Sequence, residues 1–343
     1  MSENKDSLVT IILRTKDRPV LLKRALRSVA MQTFNDYTLV VVNDNGDESV
    51  VKSLISEQPE AFQERVLFIN TGGNTTREGV LAFGLEAHHA PFFAIHDDDD
   101  TWEPEFLEKT TAFMREHPDY AGVSTRTNVI FEEVNGEQIR EIDRKILATD
   151  KRSISLLDSA IENYCPTISQ LIRRDIADQI GHWRTNFPVQ ADWDFNIRVL
   201  ASKPIGFIDA LLAHWHQRES ATGSMANSVF SEQNEHRDIN RQIREEYLRA
   251  DLNENAKYPG LGLLLAEAYY HRETMENITL LREQIASVQQ SLYHEIKETA
   301  RQVQLLHQQL DGLRNQISQL AQITENNRPL YRRALDRHRR MKG

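Results

Sequence analysis

The sequence predicts an α/β fold: a mostly parallel sheet flanked by helices, followed by a long C-terminal coiled-coil helix. Three observations carry this. Short β-branched runs alternate with helical periodicities through the first third of the chain. One run, FFAIH, ends in four consecutive carboxylates, Asp97, Asp98, Asp99 and Asp100. Beyond residue 276, apolar residues recur at alternating intervals of three and four.

Residues 8–13 (LVTIIL) read as a buried parallel strand. In the loop RTKDRP that follows, Asp17 is placed to cap the next helix and Pro19 suits its first turn. Leu22, Ala25, Leu26 and Val29 give that helix one apolar face. Residues 37–42 (YTLVVV) form a second strand ending in NDNGD, a helix covers 48–56, and 65–69 (RVLFI) form a third strand. Right-handed crossovers between parallel strands follow from this alternation. The loop at 70–77 (NTGGNTTR) is rich in Gly and small polar residues and leads into a helix. It could bring backbone N–H groups to a phosphate, or simply turn the chain. Residues 121–141 read as two strands hinged at Asn135-Gly136, and 153–181 as helices around Cys165-Pro166. A loop at 184–192, a helix at 193–201 and a strand at 204–212 come next, ending in HWHQRES and a loop at 221–224.

Composition then changes. The segment to residue 252 is polar and helical, and Tyr258-Pro259-Gly260 breaks the chain. The apolar stripe runs from Ile278 through Leu292 and Leu306 to Leu320, with a stutter at Val288–Leu292–Ile296 and a weak point at Gly312. A stripe of this length calls for self-association, or for packing back on the preceding domain. The tail RPLYRRALDRHRRMKG is basic and reads either as a solvated end or as a surface for anionic membrane.

The net charge of -10 argues against nucleic acid as a partner. The polar N-terminus has no signal-peptide core, and no apolar run reaches the roughly 18 residues of a membrane span. Cys165 is the single cysteine, so neither an intrachain disulfide nor a cysteine metal site is available. A cytoplasmic protein, peripheral to the membrane through its tail, fits these features.

Three strand ends carry polar chemistry: residues 14–17, 43–44 and 97–100. In a parallel sheet they lie on one edge, where ligands bind. A nucleotide could span them, with Mn²⁺ or Mg²⁺ bridging carboxylates to its phosphates. The acidic turn could also be merely solvated. Neither GxxxxGK[ST] nor GxGxxG is present.

Six stretches in order over about residues 8–224 resemble the inverting family-2 glycosyltransferases of the GT-A fold. They are VTIILRTKDRP, SVAMQTF, VVVNDNGDES, GGNTTREG (where the family has Ala-Arg-Asn), HDDDDTWEPEFLE and QADWDFNIRVLA. The resemblance implies a Rossmann-like nucleotide-sugar domain. It implies metal-dependent transfer from a nucleotide sugar, a UDP-sugar above all, to a hydroxyl of a saccharide or glycolipid in surface polysaccharide synthesis. It places Asp44 on the base, with Arg14, Thr15 and Asp17 beside it, and Arg77 near base or phosphate. Asp97 lies toward the ribose or sugar, Asp98 is the middle position, and Asp99 is the metal ligand. Asp192 is the general base, although an Asp there also suits a helix N-cap. One of His214, His216 and Arg218 reaches metal or diphosphate, His216 being favoured. Asp100, Trp102, Trp193 and Asp194 are candidate acceptor or sugar contacts, with packing the competing role for Trp102 and a structural one for Asp194. Asn43 and Ala191 depart from the acids of the family pattern. A nucleotidyltransferase, or a non-catalytic coiled-coil scaffold, remains the alternative. The expected division is a catalytic domain at 1–232, a helical linker at 233–275, an oligomerisation helix at 276–324 and a basic tail at 325–343.

Overall fold

The computed structural model describes residues 7–73, 76–219, 221, 223–225, 227, 233–253 and 256–342. Asn74 and Thr75 of the Gly-rich loop, Thr222 of the loop at 221–224, and the first six residues lie outside the described residues. The chain divides into two compact units, Met1–Arg272 and Glu273–Gly343.

The first unit opens with β1 (Val9–Thr15), α1 (Pro19–Ala30), β2 (Tyr37–Asn43), α2 (Glu48–Ser56), α3 (Glu60–Gln63), β3 (Val66–Asn70), α4 (Arg77–Ala87) and β4 (Phe92–Asp97). These strands pair in parallel in the order β3-β2-β1-β4. The two-residue β5 (Thr101–Trp102), α5 (Phe106–Glu116), β6 (Gly122–Asn135) and β7 (Gln138–Ile146) follow, then α6 (Leu156–Ile161), β8 (Gln170–Arg173), α7 (Arg174–Ile180), α8 (Ala191–Ser202) and β9 (Ile205–Gln217). The sheet continues past β4 as β8-β6-β9-β5, with β7 beside β6.

The sheet is mixed rather than mostly parallel, because β8 runs antiparallel to both β4 and β6. That strand lies inside the stretch read as helical. At four residues it is too short to set a period against its helical neighbours. The last strand, β9, also runs past residue 212 to Gln217, so His214 and His216 belong to a strand paired with β6. The hairpin of β6 and β7 turns at Gly136, which adopts φ +61°.

Alternation along the strands builds two core layers. Val9, Ile11 and Leu13 join Leu39 and Val41 against Leu22, Leu26 and Val29 of α1. Ile12, Val40 and Val42 face the other way, against Val80 and Leu81 of α4 and Phe195 and Val199 of α8. Each such fully buried aliphatic side chain contributes about 1.5–3 kcal/mol. Contact is close at Gly84, where a Cβ would stand 2.4 Å from Ile12 Cγ2. A third cluster gathers Phe187, Trp193 and Ile197 with Ile243 of α9 (Gln233–Leu252) and Leu261 and Leu265 at the start of α10 (Leu261–Arg340). Of the segment 233–275, α9 and the start of α10 supply Ile243, Leu261, Leu265 and Ala268 to this cluster.

The second unit is the remainder of α10. Leu281, Ile285, Val288, Leu292 and Ile296 are 50–67% exposed, and the stripe stays exposed through Leu320. The helix continues through the basic tail to Arg340. Among the described residues no helix is long and apolar enough to cross a membrane.

Candidate active site

Parallel register brings the polar strand ends together. Arg14 of β1 is paired with Asp97 of β4, and Thr15 with Asn43 of β2. The Arg14 guanidinium grips both carboxylate oxygens of Asp97, Nε to Oδ1 at 2.5 Å and Nη2 to Oδ2 at 3.1 Å. Arg77 Nη2 stands 3.7 Å from the same group. Burial alone would raise the Asp97 carboxyl, but the charges of Arg14 and Arg77 hold it well below the usual range.

The next three acids are buried and differ in their partners. Asp98 accepts from Thr15 Oγ1 at 2.8 Å and Arg18 Nη1 at 3.2 Å. Burial pushes its carboxyl up to about 6, opposed by Arg18 and assisted by the charge of Asp99. Asp99 accepts from Arg18 at 3.3 Å, from Arg218 Nη2 and from Asn227 Nδ2. Asp100 accepts from the His216 backbone N–H at 2.9 Å. Burial, with the charges of Asp99 and Asp97, raises Asp100 well above an ordinary Asp. One oxygen from each of Asp97, Asp99 and Asp100 lies within 4.8 Å of the others. Such an all-oxygen set matches a hard divalent cation, whose charge would relieve the repulsion that raises Asp98 and Asp100. The residues present therefore fit a divalent metal.

Beside them, Asp44 accepts from Lys16 Nζ at 3.1 Å and Thr71 Oγ1 at 3.2 Å. Asp17 does not cap α1. It sits at φ +52°, its carboxylate accepts from the Asp47 N–H, and Arg18 holds the cap position without a side-chain bond. The β1–α1 and β2–α2 loops cross at Gly46, where a Cβ would meet Asp17 Oδ1 at 2.8 Å and Asn43 Oδ1 at 2.9 Å. Left-handed backbone at a non-glycine residue costs of order 1–3 kcal/mol, so the crossing holds Asp17 in a strained state.

Asp192 is not a helix cap either. Gln190 takes the cap position of α8 at φ +64°, secured by His236 at 3.0 Å and Asn240 at 3.3 Å, which leaves Asp192 in the first turn. There it accepts from Asn163 Nδ2 at 2.8 Å. A cleft of about 780 Å³ is lined by Arg14, Asp44, Arg77, the four consecutive acids and Asp192. That is ample for a nucleotide-sized ligand.

Other expected contacts are committed elsewhere. Trp102 stacks on Phe106 at 4.3 Å and donates to the Ile168 carbonyl. Trp193 donates to the Ser159 carbonyl and lies under the Arg244 guanidinium in the third cluster. Neither ring is available to stack on a sugar. Asp194 is fully buried and bound to Arg184, Arg198 and the Tyr247 hydroxyl, so it is structural. His214 is turned to Glu103 and Asn128. His216 has both ring nitrogens engaged, Nδ1 with Glu132 at 2.8 Å and Nε2 with Thr101 at 2.9 Å. It therefore does not offer a ligand atom to a metal. Of the three candidates on this segment, Arg218 is the one whose side chain reaches the acidic turn, pairing with both Asp99 and Glu132. Glu132 is the hub that sequence reading missed. It accepts from Arg24 at 2.6 Å, from His216 and from Arg218. Burial would raise its carboxyl, but the bonds from His216 and Arg24 hold it down to about 2. Arg18 was also missed, although it stands directly before Pro19 in the first polar loop.

Residues 10–181 match the family described as glycosyl transferase family 2. The chain belongs to that family. It is 30% identical over 193 residues to an uncharacterized glycosyltransferase of Bacillus subtilis, covering 55% of this chain and 67% of that one. Over 92 residues it is 28% identical to a GalNAc(5)-diNAcBac-PP-undecaprenol beta-1,3-glucosyltransferase of Campylobacter jejuni, covering 27% of this chain and 29% of that one. Two solved structures share the fold. TarS of S. aureus, residues 1–349 in complex with UDP-GlcNAc, has a TM-score of 0.53 at 19% identity, covering 76% of this chain and 71% of that one. A mannosyltransferase of Pyrobaculum calidifontis in complex with GDP-Man and Mn²⁺ has a TM-score of 0.52 at 14% identity, covering 78% and 71%. This family-2 glycosyltransferase is thus an enzyme that uses a nucleotide sugar, which sets aside the nucleotidyltransferase and scaffold alternatives.

Proposed function

We propose that the protein is a divalent-metal-dependent, inverting glycosyltransferase that draws on a UDP-sugar. The acceptor is a hydroxyl of a saccharide or glycolipid in surface polysaccharide synthesis. The observation that carries the reading is that the Asp97, Asp99 and Asp100 oxygens and Asp192 line one cleft. The UDP-GlcNAc of one structural neighbour, and the GDP-Man and Mn²⁺ of another, support the same chemistry.

Asp192 takes the proton of the acceptor hydroxyl as it attacks. It stands in the first turn of α8 and lines the cleft, and Asn163 fixes one of its oxygens. Asp99, with Asp97 and Asp100, holds the metal, which when bound stabilises charge on the departing diphosphate as a Lewis acid. Arg18, Arg77 and Arg218 surround the acids and are placed to turn toward phosphate oxygens. Asp44 accepts from the base, and the Arg14–Asp17 loop closes around it. Asp98 is tied to Thr15 and Arg18 and shapes the turn.

Beyond the catalytic domain, residues 276–324 pair with a second copy as a coiled coil, and the basic tail at 325–343 lies against an anionic membrane surface from the cytoplasmic side. Each basic residue there contributes about 1 kcal/mol.

Thermal stabilisation and donor hydrolysis across UDP- and GDP-sugars, each with Mn²⁺ and again with EDTA, test the catalytic reading. A UDP-sugar that stabilises the protein only with metal is the expected result. Equal stabilisation under EDTA overturns metal dependence, and a response confined to GDP-sugars overturns the UDP assignment.

A further inference from the structure

Glu78 is a charged group in the cleft that nothing above uses. Thr76 caps α4 by accepting from the Gly79 N–H, which leaves Glu78 in the first turn. The side chain lines the cleft with Arg14, Asp97 and Asp192, and the residue is 8% exposed. Its Oε2 is buried and accepts no hydrogen bond among the described residues. Leaving such an oxygen without a donor costs about 1–3 kcal/mol. The nearby arginines do not supply one. Arg14 and Arg77 act on Glu78 through their charges, while their guanidiniums are directed at Asp97. Burial pushes the Glu78 carboxyl up against those two charges, and Asp192 adds to the push.

We propose that Glu78 is a specificity-determining residue that accepts a hydrogen bond from a hydroxyl of the transferred sugar. The inference rests on the cleft being the nucleotide-sugar site. Its electrostatic neighbours select the sugar among the donor's parts. Asp97 marks the leaving-group side and Asp192 the side of attack, and the transferred sugar must lie between them. Ionised phosphate oxygens carry no proton to donate and would be repelled by a carboxylate. A carboxylate is an acceptor only, whereas an Asn, which stands here in the pattern this loop resembles, both donates and accepts.

The test uses the full chain and the variants Glu78→Gln and Glu78→Ala. UDP with Mn²⁺ is titrated calorimetrically, and KM and kcat are measured for UDP-glucose, UDP-galactose, UDP-GlcNAc and their deoxy analogues. UDP affinity is expected to change by less than about threefold in either variant. For the best donor, kcat/KM is expected to fall about ten- to a hundredfold in Glu78→Ala, the loss of one charged hydrogen bond, with a smaller fall in Glu78→Gln. One deoxy donor, poor with the native enzyme, should be handled equally by native and variant. Loss of UDP affinity in step with donor affinity, or unchanged ranking of the donors, overturns the role of Glu78. If the native chain binds neither UDP nor any donor, the reading of the cleft fails, and Glu78 with it.

Discussion

The two units invert the usual distribution of residues in opposite senses. The first buries charge: Asp98, Asp99, Asp100, Glu132 and Asp194 are all below 9% exposed. The second exposes hydrocarbon, with the leucines and isoleucines from Leu280 to Leu335 half exposed or more. The difference lies in what offsets each. Each of these five acids has a partner in its own chain, and four arginines (Arg14, Arg18, Arg24 and Arg218) are drawn in around the acidic turn and Glu132. The stripe on α10 has no such offset among the described residues. An isolated helix gains little from propensity alone, which is the ground for the proposed pairing with a second copy.

That contrast can be broken first at the acids. Asp192→Asn removes a proton acceptor and leaves the ion pairs intact. Sugar transfer should fall about a hundred- to ten-thousandfold while calorimetric donor affinity is retained. Unchanged turnover removes Asp192 from its role. Next in size is Glu132→Ala, which strands Arg24, Arg218 and His216 together. A loss of about 3–5 kcal/mol in denaturant unfolding is expected. The same group sets a pH dependence. Its folded pKa is depressed to about 2, so its contribution is complete above its unfolded pKa and is lost as pH falls from about 4.5 toward 2. In the alanine variant that part of the acid-unfolding profile should flatten. Removing the chain from Ile278 onward should lower the number of copies per particle found by light scattering and leave the melting of the first unit nearly unmoved. A truncated protein that keeps its assembly defeats the coiled-coil reading. Smallest is Gly312→Ala. A Cβ there meets nothing within 4 Å, so helix stability should rise by about 1 kcal/mol, seen as a higher midpoint by circular dichroism.

Much of the sheet was legible because buried parallel strands leave continuous apolar runs, as in VTIIL and YTLVVV. The acidic turn was legible because its charges follow such a run without a gap. Legibility stopped where direction or pairing decided the outcome. The four residues of β8 carry no period of their own. Trp193 and Asp192 are adjacent in sequence, yet one turns into the third cluster and the other into the cleft, a choice made by the cap of α8 at Gln190. His216 reads as a ligand until its strand is extended to Gln217, which carries the ring to Glu132. Glu132 itself lies in an ordinary strand sequence, and only the approach of α1 and β9 gives it partners. Asp17 resembles a cap in sequence, but the crossing at Gly46 turns it into left-handed backbone.

One small element has a larger consequence. The strand β5 pairs with β9 at His214 and Ala213, immediately after the acids, while β4 pairs with β1 immediately before them. The turn is thus moored at both ends, and the Asp100 N–H closes it onto the Asp97 carbonyl. Fixing a residue's backbone costs about 1–2 kcal/mol of chain entropy. Here that loss falls on folding and is not repeated at each binding event. A cation bound as proposed would meet oxygens already held in place by these pairings, without first having to order a loop.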